Sequence, residues 1–171
     1  DMKVRHEVLS IHPERKTVSV RNLETGEEFE EHYDKLLLSP GARPVQPEIP
    51  GVGLENLFTL RTVEDTMRIK AYIETHQPKS VVLAGGGFIG LELAENLRES
   101  GMDVTIVQRA KQLMNPFDPD MASFIHSEMR RHGVTLALGH TVEGFVEKEG
   151  GIDVLLKGED PIHADMGILA I

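Results

Sequence analysis

The sequence contains no cysteine. That excludes a disulfide framework, a cysteine-ligated metal and any thiol chemistry carried by the chain itself. It also lacks an apolar run near the ~18 residues that a membrane span needs, so no membrane partner is expected. Positive charge is scarce: 18 Lys and Arg stand against 28 Asp and Glu, a formal net charge of −10. Nucleic-acid backbones are bound by basic surfaces, so nucleic acid is not an expected partner, and the charge reads as a solvated surface. Residues 1–6 are polar and charged, unlike a secretory signal, and a cytoplasmic protein is expected. Eight histidines are present but no HxH or HExxH pair, which makes them surface or packing residues rather than metal ligands. What remains is 171 residues, 40% hydrophobic and 27% charged, enough for one core or for one core plus a fragment.

The chain opens in a pattern of antiparallel strands. Residues 6–11, 17–21 and 27–32 are predicted strands, divided by the turn His12-Pro13-Glu14-Arg15 and by turn chemistry at residues 22–26. Val18 and Val20 share one face of the second strand. Residues 35–39 carry Leu36-Leu37-Leu38 and are expected to form a strand buried on both faces. Residues 40–53 hold four prolines and three glycines and are expected to be a linker.

Thr62-Val63-Glu64-Asp65 resembles a capping box, with Thr62 as N-cap of a helix running to His76 and stopped before Pro78. From residue 80 strands and helices alternate. Residues 81–84 are an apolar strand, 85–90 a glycine turn and 88–99 an amphipathic helix with Gly90, Leu93, Ala94 and Leu97 on one face. Residues 103–107 are a strand. Asp118 is the expected N-cap of a helix with Pro119 at its first position, a stripe of Met121, Ile125 and Met129, and Gly133 at its end. Residues 134–138 complete a βαβαβ order, which predicts a parallel sheet. Antiparallel strands at 141–147 and 152–157 follow, and residues 166–171 are expected to return to the parallel sheet. The fold class is therefore α/β: a Rossmann-like doubly wound parallel sheet with an antiparallel β-meander, preceded by a β-rich remnant.

Two features suggest a piece of a larger, internally duplicated protein. The first residue is Asp rather than Met, and strand-like sequence begins and ends the chain. His32-Tyr33-Asp34-Lys35 is also echoed by His163-Ala164-Asp165-Met166, and Gly26-Glu27 by Gly158-Glu159, each preceded by two strand-like segments.

Gly85-Gly86-Gly87-Phe88-Ile89-Gly90 fits G-x-G-x-x-G. Alone the string is weak, but here it follows a strand and opens a helix. Gly85 permits the tight turn, Gly87 lets backbone approach a pyrophosphate, and Gly90 lets helix and strand pack closely. Together with Gly86, Phe88 and Ile89 they are the predicted contacts to NAD(P)H, whose phosphates would meet the helix N-terminus. An acidic residue usually ends the next strand and binds the adenine ribose. Here Gln108 stands there, followed by Arg109, which could pair with a 2′-phosphate. NAD and NADP both remain open.

Residues 85–97, Gly-Gly-Gly-Phe-Ile-Gly-Leu-Glu-Leu-Ala-Glu-Asn-Leu, resemble the nucleotide fingerprint of the pyridine nucleotide–disulfide oxidoreductases. Residues 33–44, which include Gly41, resemble the segment closing that family's first FAD-binding half, with Ser-Pro-Gly-Ala in place of the usual Ala-Thr-Gly-Ser/Ala. Residues 113–122 look most like the coenzyme A-disulfide reductase, persulfide reductase and NADH oxidase branch.

The resemblance implies residues 1–44 as the end of an FAD-binding half, with Gly41 at a cofactor, and residues 45–171 as the NAD(P)-binding domain. It implies a flavoprotein oxidoreductase that passes hydride from NAD(P)H to FAD, for a disulfide, persulfide or oxygen acceptor. It places Glu92 near the nicotinamide and flavin rings, and homodimerisation in a further domain. The family's FAD-binding G-x-G-x-x-G and redox cysteine are absent, so this chain alone is not expected to retain FAD or turn over. A non-redox NAD-binding regulatory module and a purely structural α/β domain are the competing readings. The glycine turn argues against the second and the flavin-domain remnant against the first.

Overall fold

A computed structural model describes residues 2–171, which form two compact units, one running to Ala42 and the other from Arg43 to Ile171. The first unit is a meander of β1 (His6–His12), β2 (Thr17–Asn22) and β3 (Glu28–His32), paired antiparallel in chain order. A single 3-10 turn, Pro13–Arg15, joins the first two strands, and Lys16 closes it with φ 49°. The second turn is organised by Asn22, whose side-chain oxygen accepts from the N–H groups of Glu24 and Thr25, and by Gly26 at φ 76°. Val18 and Val20 are buried, as their alternation predicts.

The expected strand at residues 35–39 does not form. These residues pair with no strand, and Leu36, Leu37 and Leu38 are 40%, 88% and 63% exposed. A doubly buried strand needs a ladder partner on each edge and a layer on each face. Within this unit only the β1–β3 meander is available, and its sheet does not receive them.

The second unit is built on a five-stranded parallel sheet of order β4-β11-β5-β6-β7. Its strands are β4 (Leu57–Thr59), β5 (Ser80–Ala84), β6 (Asp103–Gln108), β7 (Thr135–Leu138) and β11 (Met166–Leu169). Three helices lie between them: α1 (Val63–His76), α2 (Phe88–Glu99) and α3 (Pro119–Arg131). Before β11 the chain makes a second meander of β8 (Val142–Lys148), β9 (Gly151–Leu156) and β10 (Ile162–Ala164).

Strand alternation sorts the core into two layers. Val81, Leu83, Ile106 and Ile168 face the helices and pack with Ile69, Ala94 and Leu97. Val82, Ala84, Val107 and Leu169 face the other way, onto Phe145, Ile152, Val154 and Leu156 of the meander. Near-continuous apolar strands such as Val-Val-Leu-Ala at 81–84 are what a sheet covered on both faces requires. This is the α/β parallel sheet with an antiparallel meander that the element order predicts.

Several local expectations are refined. The capping box at Thr62 is present, with Thr62 accepting from Asp65 N–H and the Asp65 carboxylate accepting from Thr62 N–H at 2.9 Å. Asp118 does occupy the N-cap of α3, but its side chain makes no capping bond. In that helix Met121 is 54% exposed, and the buried position is Ala122 one residue on. The edge strands β4 and β10, three residues each, are too short to carry a sequence period. The proline-rich stretch is only partly a linker: Ile49, Val52 and Leu54 pack on the meander-side core, and Pro50 accepts from Phe145 N–H at 2.9 Å.

The echo in sequence has a physical counterpart. Each unit contains a three-stranded antiparallel meander whose last strand runs into a His-x-Asp segment. In the second unit Asp165 ties that segment to the sheet. Its carboxylate accepts from Ser80 N–H at 2.9 Å, and its own N–H donates to the Ser80 hydroxyl at 3.0 Å. These bonds fix the register in which β11 enters beside β5.

Candidate functional site

The glycine turn leaves the carboxyl end of β5 and enters α2 at Phe88. Strand order fixes the importance of this place. From β5 the chain moves outward to β6 and β7 on one side, while β11 and β4 fill the other. The carboxyl ends at such a reversal leave a crevice, the usual ligand position in an open α/β sheet.

The glycines differ in what they permit. Gly85 has φ 123°, and a Cβ there would run into the carbonyl of Ala170. At Gly90 a Cβ would run into the carbonyl of Gly85, so helix and turn touch backbone to backbone. At Gly86 it would take the place of the Leu113 side chain. Gly87 is different: a Cβ there would meet nothing within 4 Å. The protein itself makes no demand for glycine at 87, yet this residue is the N-cap of α2 and carries no capping side chain. The first-turn N–H groups are thus left to an external acceptor, at the positive end of the helix dipole.

A cavity of 310 Å³ opens beside the turn, within the size range of ligand pockets, about 300–1,000 Å³. Ala84 and Gly85 at the end of β5, Val107, Gln108 and Arg109 at the end of β6, and Leu169 and Ile171 at the end of β11 line it. It lies toward the meander side of the strand ends, and its lining contains Arg109 and no acidic side chain. In a chain of net charge −10 that local absence of acid favours an anionic ligand.

Gly85, Gln108 and Arg109 thus come together at one cavity. The Gln108 side chain turns back to the glycines, accepting from Gly86 N–H at a long 3.4 Å. Arg109 is exposed, and among the described residues it forms no ion pair. Phe88 and Ile89 sit in the first turn of α2, 67% and 43% exposed, with the Phe88 ring edge-on to Phe117 at 6.4 Å. Glu92 is exposed on the next turn and does not line the cavity. Gly41 belongs to the other unit, where it has φ 76° and an unobstructed Cβ direction.

Two parts of the site are not anticipated from sequence. Pro47 and Ile49 line the cavity from the proline-rich strap, and His140, Thr141 and Val142 from the segment after β7. Gly139, at φ 81°, turns that segment inward and donates to the Gln108 carbonyl at 2.8 Å. A glycine directly after a predicted strand is the one available signal.

Among the described residues no three His, Asp or Glu side chains are grouped so as to hold a metal, and no helix is long and apolar enough to cross a membrane. The residues present fit the pyrophosphate of a dinucleotide, because the space a Cβ would take at Gly87 is open and the helix end behind it is uncapped. They do not fit the pyrophosphate of FAD a second time: the unit up to Ala42 has no α-helix among its described residues and no G-x-G-x-x-G.

The family described as Pyridine nucleotide-disulphide oxidoreductase matches residues 1–171. Coenzyme A disulfide reductase of Staphylococcus aureus (strain NCTC 8325) is 36% identical over 167 residues, covering 96% of this chain and 36% of that protein. Among solved structures, reduced CoADR-RHD from Bacillus anthracis aligns with a TM-score of 0.84 and 47% identity, over 97% of this chain and 30% of that one. The water-forming NADH oxidase of Lactobacillus brevis, bound to NADH, aligns with a TM-score of 0.79 and 36% identity, over 97% of this chain and 36% of that one. The chain therefore spans about a third of the length of these relatives.

Proposed function

The chain belongs to the pyridine nucleotide-disulphide oxidoreductases, and we propose that within a longer FAD-dependent enzyme it is the segment that binds NAD(P)H and presents it to the flavin. The observation that carries this is Gly87, an N-cap glycine that the fold does not need but a phosphate would. Bound there, a reduced nicotinamide cofactor supplies a hydride. The residues of this chain orient and hold it. The first turn of α2 receives the pyrophosphate, Gln108 and Arg109 stand at the adenosine ribose, and the cavity beside them takes an apolar part of the ligand. Glu92, on the exposed face of α2, would border the flavin once both are assembled.

The same reading assigns residues 1–44 to the end of an FAD-binding half and 45–171 to the NAD(P) domain. FAD itself, with Gly41 near it, would be held mainly by other parts of the longer protein. Disulfide, persulfide or oxygen would be the terminal acceptor of that whole enzyme, which we place in the cytoplasm as a homodimer without nucleic-acid or membrane partners. The NADH bound to the L. brevis oxidase, whose fold this chain shares, supports the cofactor class.

Titration of the purified chain with NADH, followed by nicotinamide fluorescence and by amide shifts of residues 85–90, tests the proposal. Saturable binding with the largest shifts in the glycine turn is expected. Binding that leaves those amides unmoved, or no binding, would sink it. Gln108→Glu is expected to raise the preference for NADH over NADPH about tenfold, since a carboxylate accepts from the ribose and repels a 2′-phosphate. If the affinity ratio of the two cofactors does not change, residue 108 is not at the ribose.

A further inference from the structure

We propose that His126 of α3 is a positioning residue for the nucleotide site, holding the glycine turn in shape through the loop at residues 109–117, a role that presupposes nucleotide binding at that turn. The chain of contacts is short. Leu113 N–H donates to His126 Nε2 at 3.0 Å. The next residue, Met114, donates its N–H to the carbonyl of Gly86 at 2.8 Å. The Leu113 side chain is fully buried and occupies the space a Cβ on Gly86 would need. Through these two residues the imidazole reaches the middle of the glycine turn.

The loop needs to be held. Met114 has φ 49°, a left-handed conformation uncommon for a residue with a side chain, and it is buried. Such conformations persist where surrounding contacts over-determine them. His126 can supply one because α3 is itself anchored, with Ala122 buried and Ile125 and Met129 packed on the helix-side core.

The bond also dictates a protonation state. Nε2 accepts from a backbone N–H only as a lone pair, so the imidazole must be neutral. The surroundings agree, since burial lowers the His126 pKa and Arg130, one turn on, lowers it further. Asp120 and Glu128 on the same helix, the latter paired with Arg131 and His132, and Arg109, Lys111 and Asp118 in or beside the loop are other charged groups near it in the chain, and β7 carries none. Burial and Arg130 are the causes of the shift, and both disfavour the imidazolium. A histidine with a depressed pKa contributes stability above its unfolded value, near about 6.5, and that contribution is lost as pH falls through the folded value. Acid therefore removes the acceptor, releases Leu113 and loosens the turn.

Two measurements on this chain test the idea. Without ligand, NMR should show the Leu113 amide proton shifting in step with the titration of the His126 ring. An amide that stays still while the ring titrates overturns the contact. With NADH, whose bridging pyrophosphate does not titrate in this range, affinity should fall about tenfold as the ring protonates, at a pH below its ordinary value of 6.5. His126→Gln, which offers an uncharged acceptor, should keep the affinity of neutral pH and lose the pH dependence. His126→Leu, if folded, should bind about tenfold more weakly at every pH. A wild-type affinity that ignores the ring, or a Gln variant that keeps the pH profile, overturns the positioning role. If NADH does not bind at any pH, the nucleotide assignment falls and this role with it, whereas the amide titration reports on the contact separately.

Discussion

Replacement Gly87→Val is expected to weaken NADH binding about a hundredfold while leaving the protein folded, with thermal unfolding lowered by no more than about 4 °C. The two halves of that result have different causes. A side chain at 87 would point into open space, and the backbone there, at φ −88° and ψ −169°, suits any residue. The fold loses only the small preference of an N-cap for glycine over valine, of order 1 kcal/mol. A phosphate seated on the first turn of α2 would lose its place, and with it two or so charge-assisted bonds, each about 1.5 kcal/mol. Calorimetric titration and a melting curve on the same preparation check both halves. Equal affinities would rule out phosphate binding at this turn.

Gly90→Ala is expected to do the opposite, costing roughly 2–3 kcal/mol of stability and lowering the unfolding midpoint by about 5–10 °C. Its Cβ would run into the carbonyl of Gly85, and both partners are backbone, with no flexible side chain to yield. The helix must move away from the strand it follows. Differential scanning calorimetry decides the point, and a midpoint within about 2 °C of the parent would mean that α2 and the turn are less tightly apposed than their geometry requires. One substitution in the motif thus reports on ligand and the other on packing, although in sequence both are glycines of one fingerprint.

That contrast shows where sequence was informative. Spacing alone located the turn, the helix behind it and the strand before it, because G-x-G-x-x-G, the apolar run at 81–84 and the helical stripe of Gly90, Ala94 and Leu97 all agree. It could not show that Gly86 is constrained by Leu113, 27 positions on, because no local pattern encodes that contact. The leucine run at 36–38 misled for a related reason: apolarity marks a segment as fit for a sheet, but partners decide whether it is in one. Met166–Leu169 has such partners in β4 and β5 and forms a strand. Met121 was a smaller miss, since a period of three or four residues places a stripe only to within one residue of Ala122. The cavity wall from Pro47 and Ile49 was hidden because proline-rich sequence signals irregular backbone, not where that backbone packs.

The position of β11 bears on how the molecule comes to be folded. It is the latest strand in the chain, yet it lies between β4 and β5, aligned with Leu57 on one edge and Val81 on the other. During synthesis β4 has no neighbour until more than a hundred residues have followed it, so its pairing is long-range and slow to form. The meander of β8 to β10 must be laid down before the gap can be filled. Even then the glycine turn is incomplete, because Gly85 is packed against Ala170 and Ala170 donates to Ala84. Until β11 is made, the nascent chain therefore carries a half-built sheet with open strand edges, a state prone to aggregation. The glycine turn is completed late, when β11 enters between β4 and β5.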